Sequence, residues 1–260
     1  MSIHPTAIVE SGAELGAGVE VGAFCHLGPK VRLHDGVKLV SHVVIDGDTE
    51  IGEGSIIHPF TALGGPPQHV GYKGEETKLI IGANSAIREH VSIHRGTAAG
   101  GGVTRIGDGG FYMVGVHIAH DCKIGDNVIL APNVAVGGHV AIDDNVFVGG
   151  LCAIHQNCRI GAYAFIGGGA VVVSDMIPYA SAIGNHARLV GLNIIGMKRR
   201  GMARKTIHDM RAAYRMLFSG EATLKERIDL VRERYGACEE IKRILEFVEY
   251  DASRPLMPSR

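Results

Sequence analysis

Residues 15–33 read LGAGVEVGAFCHLGPKVRL, and the spacing inside that stretch decides the fold. Leu15, Val21, Leu27 and Leu33 fall six apart, glycine follows the first three, and Val19, Cys25 and Val31 stand four places after an aliphatic residue. The same step of six runs outward from Ile3 to Leu63 and meets eleven aliphatic residues without a miss. Six is no multiple of 3.6, and each interior glycine costs a helix about 1 kcal/mol relative to alanine, so helices are excluded. Short strands separated by corners remain. Each hexad offers one large and one small inward residue, and successive coils bury one another.

The phase breaks over GGPPQHVGYKGEETK at 64–78, whose turn residues predict a loop. It resumes at Ile81, Ile87 and Ile93, breaks again over RGTAAGGGVTR at 95–105, and runs from Ile106 to Val172 with Tyr112 as its one non-aliphatic member. The glycines at 100–102 lack the strand-turn-helix context of a nucleotide loop and are expected at a subunit contact. Beyond residue 196, Ile207, Met210, Tyr214 and Leu217 recur at helical spacing, and Ser219–Gly220 ends that helix. Thr223 and Glu226 form a capping box for a second helix, and a third segment covers 238–249. The expected organisation is a solenoid over 1–195 and a small helical domain over 196–260. The hexads resemble the hexapeptide-repeat family of left-handed parallel β-helices. That resemblance, not the periodicity, implies three hexads per coil, so that residues eighteen apart stack at about 4.8 Å.

Composition narrows the function. With 37 Gly, no Trp and 46% apolar but only 5% aromatic residues, the core is aliphatic and the corners are tight. A net charge of -1 gives no global pull towards nucleic acid or membrane. The start, MSIHPTAIVE, lacks a basic, apolar leader, and no run approaches the roughly 18 apolar residues of a membrane span. Five cysteines without C-x-x-C fit free thiols in a reducing compartment, so a cytoplasmic protein without stable membrane insertion is expected.

The chemistry concentrates in HIAHDC, residues 117–122. Ile118 takes the large inward position and Cys122 the small one, as do Cys25, Cys152 and Cys158, so a cysteine nucleophile is disfavoured. His117, His120 and Asp121 project outward. One coil on from His120 is Gly138 and two coils on is Gln156; from Asp121 the same steps give His139 and Asn157. A histidine facing a residue without a side chain suits a general base beside an N–H that stabilises an oxyanion, with Asp121 holding the imidazole tautomer. Some hexapeptide β-helices hold zinc on three histidines between subunits, but one coil on from His117 is Ala135. No metal and no cofactor are expected.

Several motifs, in order, carry a closer resemblance: HPTAIVE at 4–10, PPQ and YKGE at 66–75, IRE-x-V-x-IHRGT at 87–97, AHDC at 119–122, GGHV at 137–140, IHQ at 154–156, GNHA at 184–187 and KRRG at 198–201. Together they resemble the UDP-N-acetylglucosamine acyltransferases that open lipid A synthesis. The resemblance implies transfer of a 3-hydroxyacyl group from acyl carrier protein to the sugar 3-hydroxyl, in a homotrimer with sites between subunits. It makes His120 the base, Asp121 its orienting carboxylate and the Gly138 N–H the oxyanion donor. It sets Gln68, His69, Tyr72, His117, His139, His155, Gln156, Asn193, Arg199 and Arg200 near the nucleotide sugar, and Gly168 and His186 along the acyl chain. A glycine at 168 implies an open groove and a long acyl group. Residues 196–218 carry seven Lys or Arg against the single Asp209, a credible dock for an acidic carrier protein.

Two departures stand out. Gln68-His69-Val70-Gly71-Tyr72 replaces the family's Gln-Asp-x-Lys-Tyr, and Ile195 stands where the family often has Glu. The lost carboxylate and ammonium suggest altered sugar selectivity, with amide formation on the 3-amino analogue of UDP-N-acetylglucosamine as the alternative to an ester. A lipid A N-acyltransferase on the same scaffold usually carries an extra N-terminal uridine-binding domain, whereas these hexads begin at Ile3. A metal-dependent hydratase or a purely structural trimer is the third class.

Overall fold

A computed structural model describes residues 1–218, 222–250 and 254–259. The proposed helix end at Ser219–Gly220 lies outside the described residues. Among the described residues the chain winds through three sheets of eleven, nine and eight strands, most of them two residues long. Every strand in the second and third sheets pairs in parallel, as do all but the last pair of the first. The molecule is a left-handed parallel β-helix with helices following it. Its eighteen-residue coil is explicit in the register: Ile118 pairs with Val136, and Val136 with Ile154. Both sequence interruptions are insertions within coils. Leu63 pairs with Ile93 and Ile87 with Tyr112, so the loops bulge outward while the ladder continues beneath them.

The inward positions behave as the hexads require. Ile45, Ile51, Ile57, Ile93, Ile118 and Ile166 are fully buried in one continuous core. The small position serves backbone as well as packing: Thr61 Oγ1 donates to Arg88 O at 2.8 Å, and Cys122 Sγ to Gly137 O at 3.1 Å. Burial pushes the Cys122 thiol up to about 12 and Cys158 up to about 11, so neither supplies a thiolate near neutrality. The first coil departs from the expectation. Ile3 is 46% exposed although it is in phase, because its strand stands at the end of its sheet among the described residues.

At the other end an antiparallel pair, Ala180–Ile183 with Arg188–Leu192, closes the solenoid. Four helices follow among the described residues: α1 (Ile194–Arg199), α2 (Arg204–Phe218), α3 (Leu224–Tyr235) and α4 (Glu239–Glu249). The Thr223–Glu226 capping box opens α3. In α2 the buried stripe is Ile207, Met210, Ala213 and Leu217, while Tyr214 is only half-buried and its hydroxyl meets Ser259 Oγ at 3.1 Å. The helices are tied to the solenoid through Arg159. Its Nε donates to the fully buried Asp175 at 2.7 Å, and its guanidinium lies against the Phe247 and Tyr250 rings.

Candidate active site

Residues 119–122 make the corner between the strands His117–Ile118 and Lys123–Ile124. Such a corner needs one residue in the left-handed region. Asp121 takes it at φ 61°, and in the next two coils His139 and Asn157 hold the same place at 59° and 63°. Phe24, His42 and Phe60 do so at other corners, so this conformation belongs to the fold and signals no special strain at the site. The corner turns His120 and Asp121 away from the solenoid core. They project outward as expected, yet both are buried, His120 at 9% and Asp121 at 5% exposure. The two inserted loops cover them.

From 95–105, Thr97 donates its backbone N–H to Asp121 Oδ1 at 2.7 Å and its hydroxyl to Oδ2 at 2.7 Å. The glycines of this loop let it close. A Cβ on Gly100 would lie 2.1 Å from the Asp121 carboxyl carbon and one on Gly96 2.8 Å from Oδ1. Of the glycine run at 100–102, Gly100 has this role. His120 Nδ1 completes the set at 2.8 Å from Oδ2. Burial raises the Asp121 pKa, but the hydrogen bonds from Thr97 and His120 outweigh it and leave the carboxyl below its ordinary value. An ionised Asp121 accepts from Nδ1–H, which leaves the lone pair of His120 on Nε2.

The imidazole lies over Gly138. A Cβ there would stand 2.7 Å from His120 Cε1 and 2.9 Å from Nε2, so only glycine admits the ring in this place. Gly138 is buried, and its N–H meets no acceptor among the described residues. A candidate base and an unused N–H thus lie side by side. His69 and His139 set their rings edge-on to His120 at centroid distances of 5.2 and 5.1 Å. His139 Nε2 is 3.6 Å from Asp121 Oδ2, too far for a hydrogen bond.

Sequence reasoning missed His94 and Thr97. His94 packs edge-on against His117 at 5.0 Å, and its buried Nδ1 has no partner among the described residues. Burial first, then the neighbouring His117 and His120, depress His94 to about 4. Burial and His120 lower His117 as well, and its Nδ1 meets Ser92 Oγ at 2.8 Å. Both shifts favour the neutral form of these two imidazoles. The motif IHRGT held both missed residues, but nothing in its spacing marked them.

His120, Asp121 and His139 offer ligand atoms within 4.8 Å of one another, a grouping a metal ion could use. Any ion would have to compete with Thr97 and His120 for both Asp121 oxygens.

The remaining predicted residues make contacts of their own. Gln68 is exposed, and Tyr72 donates its hydroxyl to Glu75 O at 2.9 Å. His155 Nδ1 meets Arg254 Nη2 at 2.6 Å, and Arg254 Nε also donates to the Gln156 carbonyl. Asn193, Ile195, Arg199 and Arg200 line a cleft of about 780 Å³ floored by the stacked rings of Phe147 and Phe165 on the first sheet. Asn193 caps α1: its Oδ1 accepts from Gly196 N at 3.0 Å while Nδ2 donates to Tyr163 O at 3.1 Å. Arg200 Nη1 donates to Asn145 Oδ1 at 2.8 Å with its guanidinium over Tyr163. Gly168 and His186 are exposed. A Cβ on Gly168 would meet Gly150 O at 3.3 Å.

Comparison with known proteins finds relatives in sequence and in fold. Residues 175–257 match the family described as UDP N-acetylglucosamine O-acyltransferase, domain 2. The acyl-[acyl-carrier-protein]–UDP-N-acetylglucosamine O-acyltransferase of Caulobacter vibrioides is 57% identical over 100% of this chain and 99% of its own. Among solved structures, LpxA of Acinetobacter baumannii superposes with a TM-score of 0.95 at 42% identity over 98% of this chain and 99% of its own. The UDP-N-acetylglucosamine acyltransferase of Campylobacter jejuni gives 0.93 at 35% over 99% and 100%.

Proposed function

The chain belongs to the UDP-N-acetylglucosamine O-acyltransferase family, and from that premise we propose how its own residues carry out the reaction. It transfers a 3-hydroxyacyl group from acyl carrier protein to the 3-hydroxyl of UDP-N-acetylglucosamine, the first step of lipid A synthesis. His120 Nε2 takes the hydroxyl proton as the sugar oxygen attacks the thioester carbonyl. Asp121 steadies the imidazolium through Nδ1–H, and Thr97 keeps the carboxylate ionised and in place. The Gly138 N–H receives the oxyanion of the tetrahedral intermediate. On collapse the C–S bond breaks, and the carrier thiolate recovers the proton from His120. The observation that carries this reading is the His120–Asp121 pair seated on a glycine with an unused N–H.

The ester reading replaces the 3-amino alternative. Full-length relatives at 46–57% identity are O-acyltransferases by name, so the altered loop at 68–72 does not by itself signal an amide product.

Gln68, Tyr72, His117, His139, His155 and Gln156 serve the sugar, while Asn193, Arg199 and Arg200 serve the nucleotide and its diphosphate. The cleft holding the latter three lies on a different sheet from the histidines. We infer a homotrimer in which one subunit's cleft faces its neighbour's histidines. Gly168 and His186 line the acyl path. The carrier docks on α1 and α2, where Lys198, Arg204, His208 and Arg211 line a cavity of about 560 Å³. No described helix is long and apolar enough to cross a membrane, and a carrier-protein donor implies a cytoplasmic reaction.

The test is mass-spectrometric detection of ester from a 3-hydroxyacyl carrier protein and UDP-N-acetylglucosamine. Wild type forms ester, and His120→Ala loses about a hundredfold or more in kcat. Full activity in a folded His120→Ala protein would remove the base from the mechanism.

A further inference from the structure

Arg200 stands between two cavities. It lines the cleft of about 780 Å³ together with Asn145, Asn193 and Arg199, and also a second cavity of about 410 Å³ whose walls include Tyr163, Tyr179, Met202 and Glu240. Two residues at one corner of the solenoid hold it there, Asn145 and, one coil on, Tyr163. Asn145 Oδ1 accepts from Nη1 at 2.8 Å and the Asn145 carbonyl from Nη2 at 3.5 Å, while the guanidinium carbon lies 4.5 Å from the centre of the Tyr163 ring. That ring is itself fixed, stacked at 7° on the buried Tyr179 with centroids 4.9 Å apart. Arg243 of α4 reaches the same ring more loosely, at 5.7 Å. Arginine offers five N–H donors and Asn145 takes two, so three remain, Nε–H among them, without a hydrogen bond to the described residues. An edge of the guanidinium is thus free for a bidentate grip on phosphate.

We propose that Tyr163 and Asn145 are positioning residues for the nucleotide site, holding Arg200 against the cleft so that its free edge meets the diphosphate of the nucleotide sugar. The inference rests on the assignment of Arg200 to that diphosphate and concerns what orients it. An arginine side chain has many rotamers, and ordering it only when the ligand arrives weakens the complex. The Tyr163 face and the Asn145 oxygens order it beforehand. The second cavity shows what the hold prevents. A guanidinium released from Tyr163 has the Glu240 carboxylate of that cavity to pair with, and a cation so paired is lost to the phosphate. The corner of Asn145 and Tyr163 joins the third sheet to the first, whereas that of His120 joins the second to the third. The hold therefore acts on substrate binding and leaves the proton transfer at His120 alone.

The test is steady-state ester formation by the native enzyme from a 3-hydroxyacyl carrier protein, with UDP-N-acetylglucosamine varied. Tyr163→Leu should raise KM for the nucleotide sugar about fivefold, the scale of one surface cation–π contact, with kcat within about twofold of wild type. Tyr163→Phe keeps the ring face and should retain the wild-type KM. Asn145→Ala should raise KM by about the same factor, and it carries the test if Tyr163→Leu does not fold by circular dichroism. In an Arg200→Ala background, where KM is already raised, Tyr163→Leu and Asn145→Ala should each change it by less than about twofold. An unchanged KM in the folded single variants, a loss in kcat in place of KM, or an equal rise with and without Arg200 would overturn the proposal while leaving acyltransfer intact. A wild-type KM in Arg200→Ala would remove Arg200 from the diphosphate and the proposal with it. A wild type that makes no ester would overturn the acyltransfer reading itself.

Discussion

Replacing Gly138 with alanine tests the site at the point where geometry is tightest. The new methyl would stand 2.7 Å from His120 Cε1, whereas carbon atoms settle at about 3.5–4.0 Å. Its other near neighbours are Nε2 at 2.9 Å and Nδ1 at 3.2 Å, so the whole imidazole must give way. Relieving the contact requires a shift of about 1 Å, which the 2.8 Å bond to Asp121 resists. A misplacement of about 1 Å in a catalytic group costs on the order of a hundredfold in rate. The backbone N–H at residue 138 survives the change, so the loss falls on the base and not on the oxyanion donor. Overpacking also costs about 1–3 kcal/mol of stability. That part should vanish in a His120→Ala background, where the obstructing ring is gone. The assay pairs ester formation under saturating substrates with thermal unfolding of the single and double variants. Wild-type kcat in Gly138→Ala would show that the ring does not need the place it occupies, and the catalytic assignment of His120 would fall with it.

Acid should destabilise the fold through His94. Its folded value of about 4 lies below the unfolded value near 6.5, so the unfolded chain binds the extra proton first and stability falls as pH drops through that window. The full loss is about 3 kcal/mol by pH 4, and the lowered values of His117 and Asp121 act in the same direction. Denaturant melts between pH 7.5 and 4.5, estimated to span most of that loss, should be flatter for His94→Gln, and equal slopes would refute the argument. Arg159→Met strands the fully buried Asp175 and removes the cation between Phe247 and Tyr250, and should cost about 3–5 kcal/mol in a chemical melt, while a change within error would show that the pair is solvated. Gly168→Met should shift the preferred acyl chain to a shorter one in a mixture of carrier thioesters, and an unchanged product distribution would remove Gly168 from the acyl path.

What the sequence disclosed follows the step of eighteen, and what it hid lies off that step. Ile118, Val136 and Ile154 are in phase and stack as expected, and the same arithmetic brought Gly138 beneath His120. Each contact that completes the site crosses an inserted loop. Thr97 reaches Asp121 over twenty-four residues and Ser92 reaches His117 over twenty-five, neither a multiple of the coil. His69 comes from a loop with no register at all and still packs edge-on against His120. The solenoid therefore supplies a periodic, legible platform, while the insertions carry what is particular to the chemistry. They bury a base that the hexads alone would leave in solvent, and burial changes the behaviour of the group. A solvated Asp121 would be screened from His120, whereas here it is enclosed and tied by three hydrogen bonds, which hold one tautomer of the imidazole. The glycines at 96 and 100, which look like flexible spacers in the sequence, are what allow that enclosure.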